Sequence, residues 1–373
     1  MANKRLRAGQ LSVGQPLPFD AYDERGTLLM RCGSIIASAA QLERLIEHGL
    51  FRDETPEPTV TKGHHVSVVR SLAELREPLR SAFAETDPQV FPAMIIALAR
   101  RVRELSLLDP DAAIGGVALV RGSFYPVRQA VNCAALGALL LVRQEVTDAD
   151  IEACLCAMLT MNLSIVDLQD NLYRESTPLT DVQKAVIAAH PAATVALLRA
   201  RGVSSGHWLD IVMQHHERLD GSGYPGAISG ESVHRHARLT TIADQYCALV
   251  SEREFREGLN PGAALKHLLI NQGKGLDPIL CALLIRELTP YPPGAVVRLA
   301  NGEIAIVCRR MRHPEQPIVR SVAAADGRRF ETPRKRVTSN SAYRVEALIS
   351  QSEARELPAA DVLWDDSYVI EPT

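Results

Sequence analysis

Several features that would assign the chain to a large functional class are missing. The net charge is only −3 over 373 residues, without the basic excess that marks nucleic-acid binders, so no nucleic-acid partner is expected. Long apolar runs are absent too. The uncharged stretch Gln129–Val142 is 14 residues long, and a membrane-spanning helix needs roughly 20 apolar residues, so no membrane partner is expected. The opening MANKRLRAGQ is basic but is followed by no apolar core, so no signal peptide is expected. There is no phosphate-cradling Walker loop, no serine nucleophile elbow and no paired-cysteine zinc signature. Internal repeats and low-complexity tracts are lacking as well.

The seven cysteines are odd in number and irregularly spaced. Most sit in apolar, helical-looking stretches, the pattern of reduced, buried thiols in a cytoplasmic protein. Cys154 and Cys156 lie two apart on a predicted helix, so their side chains point in different directions and a zinc role is not expected of them. Hydrophobic residues make up 46% and charged residues 23%, an ordinary balance for a chain long enough for two or three domains.

Residues 1–52 read as a small hairpin-and-helix module. Leu17–Tyr22 and Thr27–Met30 flank the turn Asp23-Glu24-Arg25-Gly26. Ser38 and Gln41 form a capping-box pair ahead of Leu42, Leu45 and Ile46, and Gly49 stops the helix. Residues 53–65 read as a polar, proline-broken linker whose His64 and His65 are expected to be solvated. From 66 to 290 the periodicity is helical. Pro92–Leu107 is amphipathic and Tyr125–Val142 strongly apolar, therefore central. Thr147 with Asp150 opens a helix running towards Leu168, and Thr180 with Gln183 opens one ending near His190-Pro191. Trp208–Leu219, Ala237–Val250 and Pro261–Ile270 complete the series. From 291 to 373 the pattern becomes β-rich, with turns at Asn301-Gly302 and Asp326-Gly327. The expected fold class is mainly α: a helical bundle flanked by a small N-terminal α/β hairpin module and a small C-terminal β domain.

The chemistry concentrates in Gln214-His215-His216-Glu217-Arg218-Leu219-Asp220-Gly221-Ser222-Gly223-Tyr224-Pro225. Two adjacent histidines on a helix point about 100° apart and can serve neighbouring ligands or metals. Gly221 and Gly223 allow a tight turn and close approach to a phosphate or base. His234 and His236, on either side of Arg235, are expected at the surface.

This string resembles the HD-GYP family of the HD superfamily, whose motif reads HHE and then DG-x-GYP. Roughly residues 120–290 are similar to it. The resemblance implies a metal-ligand histidine at His190, before Pro191, and an aspartate ligand at Asp244. An arginine and a second basic residue are matched by Arg253 and Arg256. The implied metal set is His190, His215, His216 and Asp244. The implied ligand set is Gly221, Gly223, Tyr224, Pro225, Arg253 and Arg256, where the two arginines grip a phosphate or guanine edge and Tyr224 lies against a base. The family hydrolyses cyclic di-GMP with metal ions, so cyclic di-GMP, a protein of the same pathway and a second copy of the chain are the candidate partners.

The chain departs from that pattern where a His-Asp pair should stand, about 29 residues before His190. The sequence there is Thr160-Met161-Asn162-Leu163-Ser164-Ile165. Thr160 is assigned to the histidine, Met161 to the aspartate and Ser164 to a following lysine; Gln129 is near the place of a further histidine. Methionine is a soft, neutral and poor ligand for hard ions, and two adjacent metals need a bridging carboxylate. Asp167 and Asp170 lie one to two turns away and are not expected to replace it. The expectation is no metal, or one weakly bound divalent ion (iron or manganese), and no confident catalytic residue. The reading is a degenerate HD-GYP regulator in the bacterial cytoplasm that binds nucleotide or protein. A working phosphodiesterase and a ligand-free docking scaffold are the alternatives.

Overall fold

A computed structural model of the chain describes residues 3–5, 13, 21–23, 27–31, 34–48, 50–52, 66–122, 124–252, 257–271, 275–354 and 357–364. Outside these lie the expected linker 53–65 with His64 and His65, the turn residues Glu24–Gly26, Cys32, Gly49, Arg253 and Arg256. The chain divides into two compact units at residues 65 and 66.

In the first unit, strands β1 (Asn3–Arg5), β2 (Ala21–Tyr22) and β3 (Leu28–Met30), helix α1 (Ala39–His48) and strand β4 (Leu50–Arg52) form an antiparallel sheet of order β1-β4-β2-β3 with one helix. The anticipated hairpin is β2–β3. Strands β1 and β4 carried no periodicity to announce them. The capping pair is present: Gln41 N–H donates to Ser38 Oγ at 3.3 Å, and Ala37 N–H to Gln41 Oε1 at 2.8 Å. Ala21, Ile36 and Leu45 make the small core.

The second unit is a helical bundle closed by a sheet. Its helices are α2 (Val68–Glu74), α3 (Arg76–Ala84), α4 (Phe91–Leu108), α5 (Pro110–Leu119), α6 (Tyr125–Leu141), α7 (Asp148–Thr160), α8 (Val166–Arg174), α9 (Asp181–Ala200), α10 (Gly206–Gln214), α11 (Arg235–Val250), α12 (Pro261–Asn271) and α13 (Pro278–Leu288). Every residue of α6 is buried, in keeping with a sequence that is mostly apolar rather than striped, with Arg128, Gln129 and Asn132 as its buried polar residues. Helices α4, α7 and α11 pack around it. Thr147 caps α7 by accepting the Asp150 N–H at 3.1 Å, and Thr180 and Gln183 form a reciprocal box on α9.

Two helix ends differ from the pattern reading. Helix α9 does not stop at His190-Pro191 but continues to Ala200 with Pro191 inside it. The carbonyl that Pro191 leaves without a donor, that of Ile187, accepts His190 Nδ1–H at 2.6 Å, so the usual cost of an interior proline is partly offset. Helix α10 stops at Gln214, not near Leu219, which places His215 at the C-cap and His216 beyond it. One continuous run, Asp148–Arg174, is long and apolar enough by composition to cross a membrane, which the uncharged-run count did not reveal. Some 61% of its apolar window is buried inside this unit, the environment of a core helix.

Strands β5 (Val296–Leu299), β6 (Ile304–Arg309), β7 (Ile318–Ala323), β8 (Arg329–Val337) and β9 (Val345–Leu348) form an antiparallel sheet of order β8-β7-β6-β5-β9. Alternation decides its seating. Ala305, Val307 and Val319 form a core of its own on one face, while Ile306, Cys308 and Val322 join the helical core on the other. Arg309 and Arg310 of this sheet pair with Asp109 and Asp111 at the start of α5. Trp364 is 2% exposed and donates Nε1–H to Cys308 O at 2.8 Å. A Cβ on Gly115 of α5 would lie 2.1 Å from its ring.

Removing that ring should loosen the sheet-to-bundle contact. Trp364→Ala is expected to cost about 3–5 kcal/mol, lowering the thermal midpoint by on the order of 10 °C. An unchanged midpoint in calorimetry would show that Trp364 does not couple the two layers.

Candidate functional site

Three of the histidines read from sequence converge. His190 of α9, His215 and His216 each present a ligand atom, and these lie within 4.8 Å of one another. Backbone carbonyls set two of the rings. Ile187 O takes His190 Nδ1, and Val212 O, left free by the end of α10, takes His215 Nδ1 at 2.7 Å. With both Nδ1 atoms donating, each Nε2 carries a lone pair, and the two Nε2 atoms face each other at 3.2 Å. Burial opposes relief by protonation. Desolvation, and then the neighbouring His190, pushes His215 down to about 3. Desolvation lowers His190 and takes His216 well below the ordinary imidazole range. What such a pair of lone pairs accepts is a cation. The expected divergence of His215 and His216 does not occur: with the helix ended, their rings lie 4.1 Å apart, tilted by 43°.

The segment after the histidines is shaped by Glu217. Its buried carboxylate accepts Gly226 N–H at 2.5 Å and Ile228 N–H at 3.2 Å, fixing the loop around Tyr224-Pro225. A Cβ at Gly223 would come within 2.5 Å of Glu217 Cα and His216 O, so only glycine allows this approach. Gly221 adopts a left-handed φ of 76°. The loop returns Tyr224 N–H to His216 O at 3.2 Å and stacks its ring on His216, 4.6 Å between centroids at 24°.

His190, His216 and Tyr224 open into a cavity of about 430 Å³. Asp244 of α11 lies on its wall, as do Gln129, Asn162, Ile165, Tyr125 and Tyr173. Gln129 Nε2–H donates to Asp244 Oδ1 at 2.9 Å, and desolvation raises this carboxyl above the usual range. Gln129 Oε1 is buried with no hydrogen-bond partner. Tyr125 and Tyr173 stack at 4.8 Å with Arg128 over both rings. The carboxylates on the wall are Asp244 and the exposed Glu175.

The assignment of Thr160 and Met161 to the missing pair needs correction. Thr160 Oγ1 donates to Cys156 O at 2.7 Å and accepts Trp208 Nε1–H at 2.9 Å, and Met161 is buried in the core. Helix α7 ends at Thr160 and a 3-10 turn follows from Leu163 to Ile165. That turn presents Asn162 and Ile165 to the cavity instead. Counting 29 back from His190 reaches Met161 and then Asn162, the signal that could have found them. Ser164 is spent on α9, donating to His190 O at 3.1 Å and contacting Thr194 Oγ1 at 2.8 Å. Asp170 accepts Tyr125 N–H at 3.2 Å and pairs with Arg174, and Asp167 is exposed. Tyr173 had no sequence signal. His236 is buried, not at the surface as expected.

Residues 119–280 match the model of the HD domain family. The chain is 27% identical over 201 residues to the cyclic di-GMP phosphodiesterase PA4108 of Pseudomonas aeruginosa, covering 54% of this chain and 48% of that protein. It is 33% identical over 124 residues to the cyclic di-GMP phosphodiesterase response regulator RpfG of Xanthomonas campestris, covering 32% of each. The chain thus spans about half, or less, of the length of these relatives. Among solved structures, Bd1817, a HDG"Y"P protein from Bdellovibrio bacteriovorus, shares the fold with a TM-score of 0.51 at 16% identity, over 76% of this chain and 98% of that one. Over residues 119–280 the chain is thus similar to HD domains, and the relatives it resembles there are named as cyclic di-GMP phosphodiesterases.

The depressed histidine has a measurable consequence. Below its ordinary value of 6.5 the unfolded chain binds a proton that folded His215, held near 3, does not. Stability is therefore full above pH 6.5 and is lost as pH falls towards 3, at no more than about 1.4 kcal/mol per pH unit. Urea unfolding of chelator-treated protein should show this loss, with a shallower slope for His215→Asn. Equal slopes would mean that His215 is not held neutral.

Proposed function

We propose that the HD domain is a receptor for cyclic di-GMP that binds the nucleotide in the histidine cavity without hydrolysing it. The observation that carries this reading is that neutral side chains, Asn162, Ile165 and Gln129, line the cavity together with His190 and His216. Hydrolysis through two metals about 3.5–4 Å apart needs charge between them. Asn162 supplies none, and Asp244 already accepts a hydrogen bond from Gln129. The three imidazoles fit one divalent ion, iron or manganese, weakly held; they do not fit a bridged pair. That ion, when bound, supplies positive charge for a phosphate. Tyr224 on His216, and Tyr125 on Tyr173, offer flat faces for guanines. Arg253 and Arg256, three apart in the sequence, are the cations proposed for the phosphates. The names of the curated relatives support the choice of nucleotide, and a cytoplasmic location accords with it.

Titration calorimetry with cyclic di-GMP should give saturable micromolar binding to the full chain. Tyr224→Ala should weaken it about tenfold, as expected for one stacked base, and Arg253→Ala with Arg256→Ala should weaken it further. No linear dinucleotide should form with manganese or iron. Turnover with two tightly held ions per chain would favour the phosphodiesterase reading; no binding at high micromolar ligand would favour a docking scaffold.

Restoring charge to the wall should move the metal count. Asn162→Asp combined with Gln129→His is expected to raise the bound manganese measured by elemental analysis above that of the wild type. An unchanged count would mean that the neutral wall is not what limits metal binding.

A further inference from the structure

A second cluster of ligand-type side chains lies in the same unit, with no residue in common with the cavity. Cys154 of α7, His207 at the second position of α10 and His236 at the second position of α11 bring their ligand atoms within 4.8 Å of one another. These residues are 53 and 29 positions apart, so no local motif signals them. Cys154 and His236 are buried, and the His207 side chain is 23% exposed, which leaves a route in for an ion. We propose that Cys154, His207 and His236 bind one zinc ion.

The surroundings of His207 support this. Its Nδ1 lies 2.9 Å from Asp150 Oδ1, and Asp150 Oδ2 accepts Thr147 Oγ1–H at 2.8 Å. A carboxylate on one ring nitrogen fixes the proton there and turns the other nitrogen into a basic lone pair, the arrangement that orients metal-binding histidines. That lone pair, on Nε2, faces His236 Nδ1 at 2.8 Å. A shared proton between the two rings also satisfies this distance. Tetrahedral zinc with bonds of about 2.0–2.1 Å needs the nitrogens about 3.3 Å apart, so the rings must part by about half an ångström. One thiolate with two imidazoles is a donor set that suits zinc, with the fourth position left to water. The thiolate also supplies the negative charge that two helix N-termini would otherwise deny a cation. His234 borders the cluster, its ring 4.9 Å from that of His207, with Nδ1 accepting the His236 N–H.

The ion would tie α7 to the starts of α10 and α11. The C-cap of α10, about 12 Å away at 1.5 Å per residue, is His215, and α11 carries Asp244. The site is therefore a structural clamp behind the cavity rather than part of it.

Cobalt(II) distinguishes the two sites, because the cavity cluster has no cysteine among its ligands. Metal-stripped full-length protein titrated with cobalt should develop a thiolate-to-cobalt charge-transfer band and the strong visible bands of tetrahedral cobalt. One equivalent should saturate them, and zinc should abolish them. Cys154→Ala should lose the charge-transfer band, and His207→Gln should weaken cobalt binding at least tenfold. His190→Ala should keep the band, so failure here is separable from failure of the nucleotide reading. Zinc should raise the thermal midpoint of the wild type more than that of Cys154→Ala. Absence of the band at saturating cobalt, or its persistence in Cys154→Ala, would overturn the proposal.

Discussion

Two imidazole lone pairs aimed at each other across 3.2 Å are the constraint on which the rest of the site depends. Neither ring can turn away, because each is held at its far nitrogen by a backbone carbonyl. The two carbonyls are free for different reasons. Pro191 cannot donate to Ile187 O, and α10 ends before Val212 O finds a helical partner. Helix-ending events at two distant places in the sequence thus produce one electron-rich point. The apolar frame around it then keeps protons out, since charging a buried imidazole costs more than charging an exposed one.

Around that point the domain is short of compensating charge. Asp244 accepts a hydrogen bond from Gln129, Asp170 holds the start of α6 and Arg174, and Glu217 holds the loop that carries Tyr224. Asp244, Asp170 and Glu217 therefore each have a task in the fold or a neutral partner, and the other carboxylate on the wall among the described residues, Glu175, is exposed. The unsatisfied Oε1 of Gln129 is the complementary fact: a buried acceptor left without a donor at the wall where a charged ligand set is missing.

The helical class of the second unit, its central α6 and the caps at Thr147 and Thr180 were legible because each rests on local periodicity or capping chemistry. The convergence of His190, His215 and His216 was legible through resemblance alone; no spacing of 25 residues dictates a contact. What was misread turned on chain geometry over one or two residues. A 3-10 turn after α7 shifted the exposed position from Met161 to Asn162. A proline that looked like a helix stop was accommodated by the histidine before it. The Cys154, His207 and His236 cluster was invisible because it is assembled by three helices packing, and each residue taken alone reads as an ordinary core or surface side chain. Strands β1 and β4, at three residues each, are too short to show alternation.

The loop that positions Tyr224 depends on nothing that a metal supplies. Its shape follows from the Glu217 carboxylate, the bare Cα of Gly223 and the left-handed turn at Gly221, and Tyr224 is placed by its own N–H on His216 O. Stacking surface and metal charge are thus separable in this fold: one can be kept while the other is reduced. On the proposed reading, the aromatic faces would hold the guanines while Arg253 and Arg256 hold the phosphates, so that reduced metal charge would leave recognition of the bases in place.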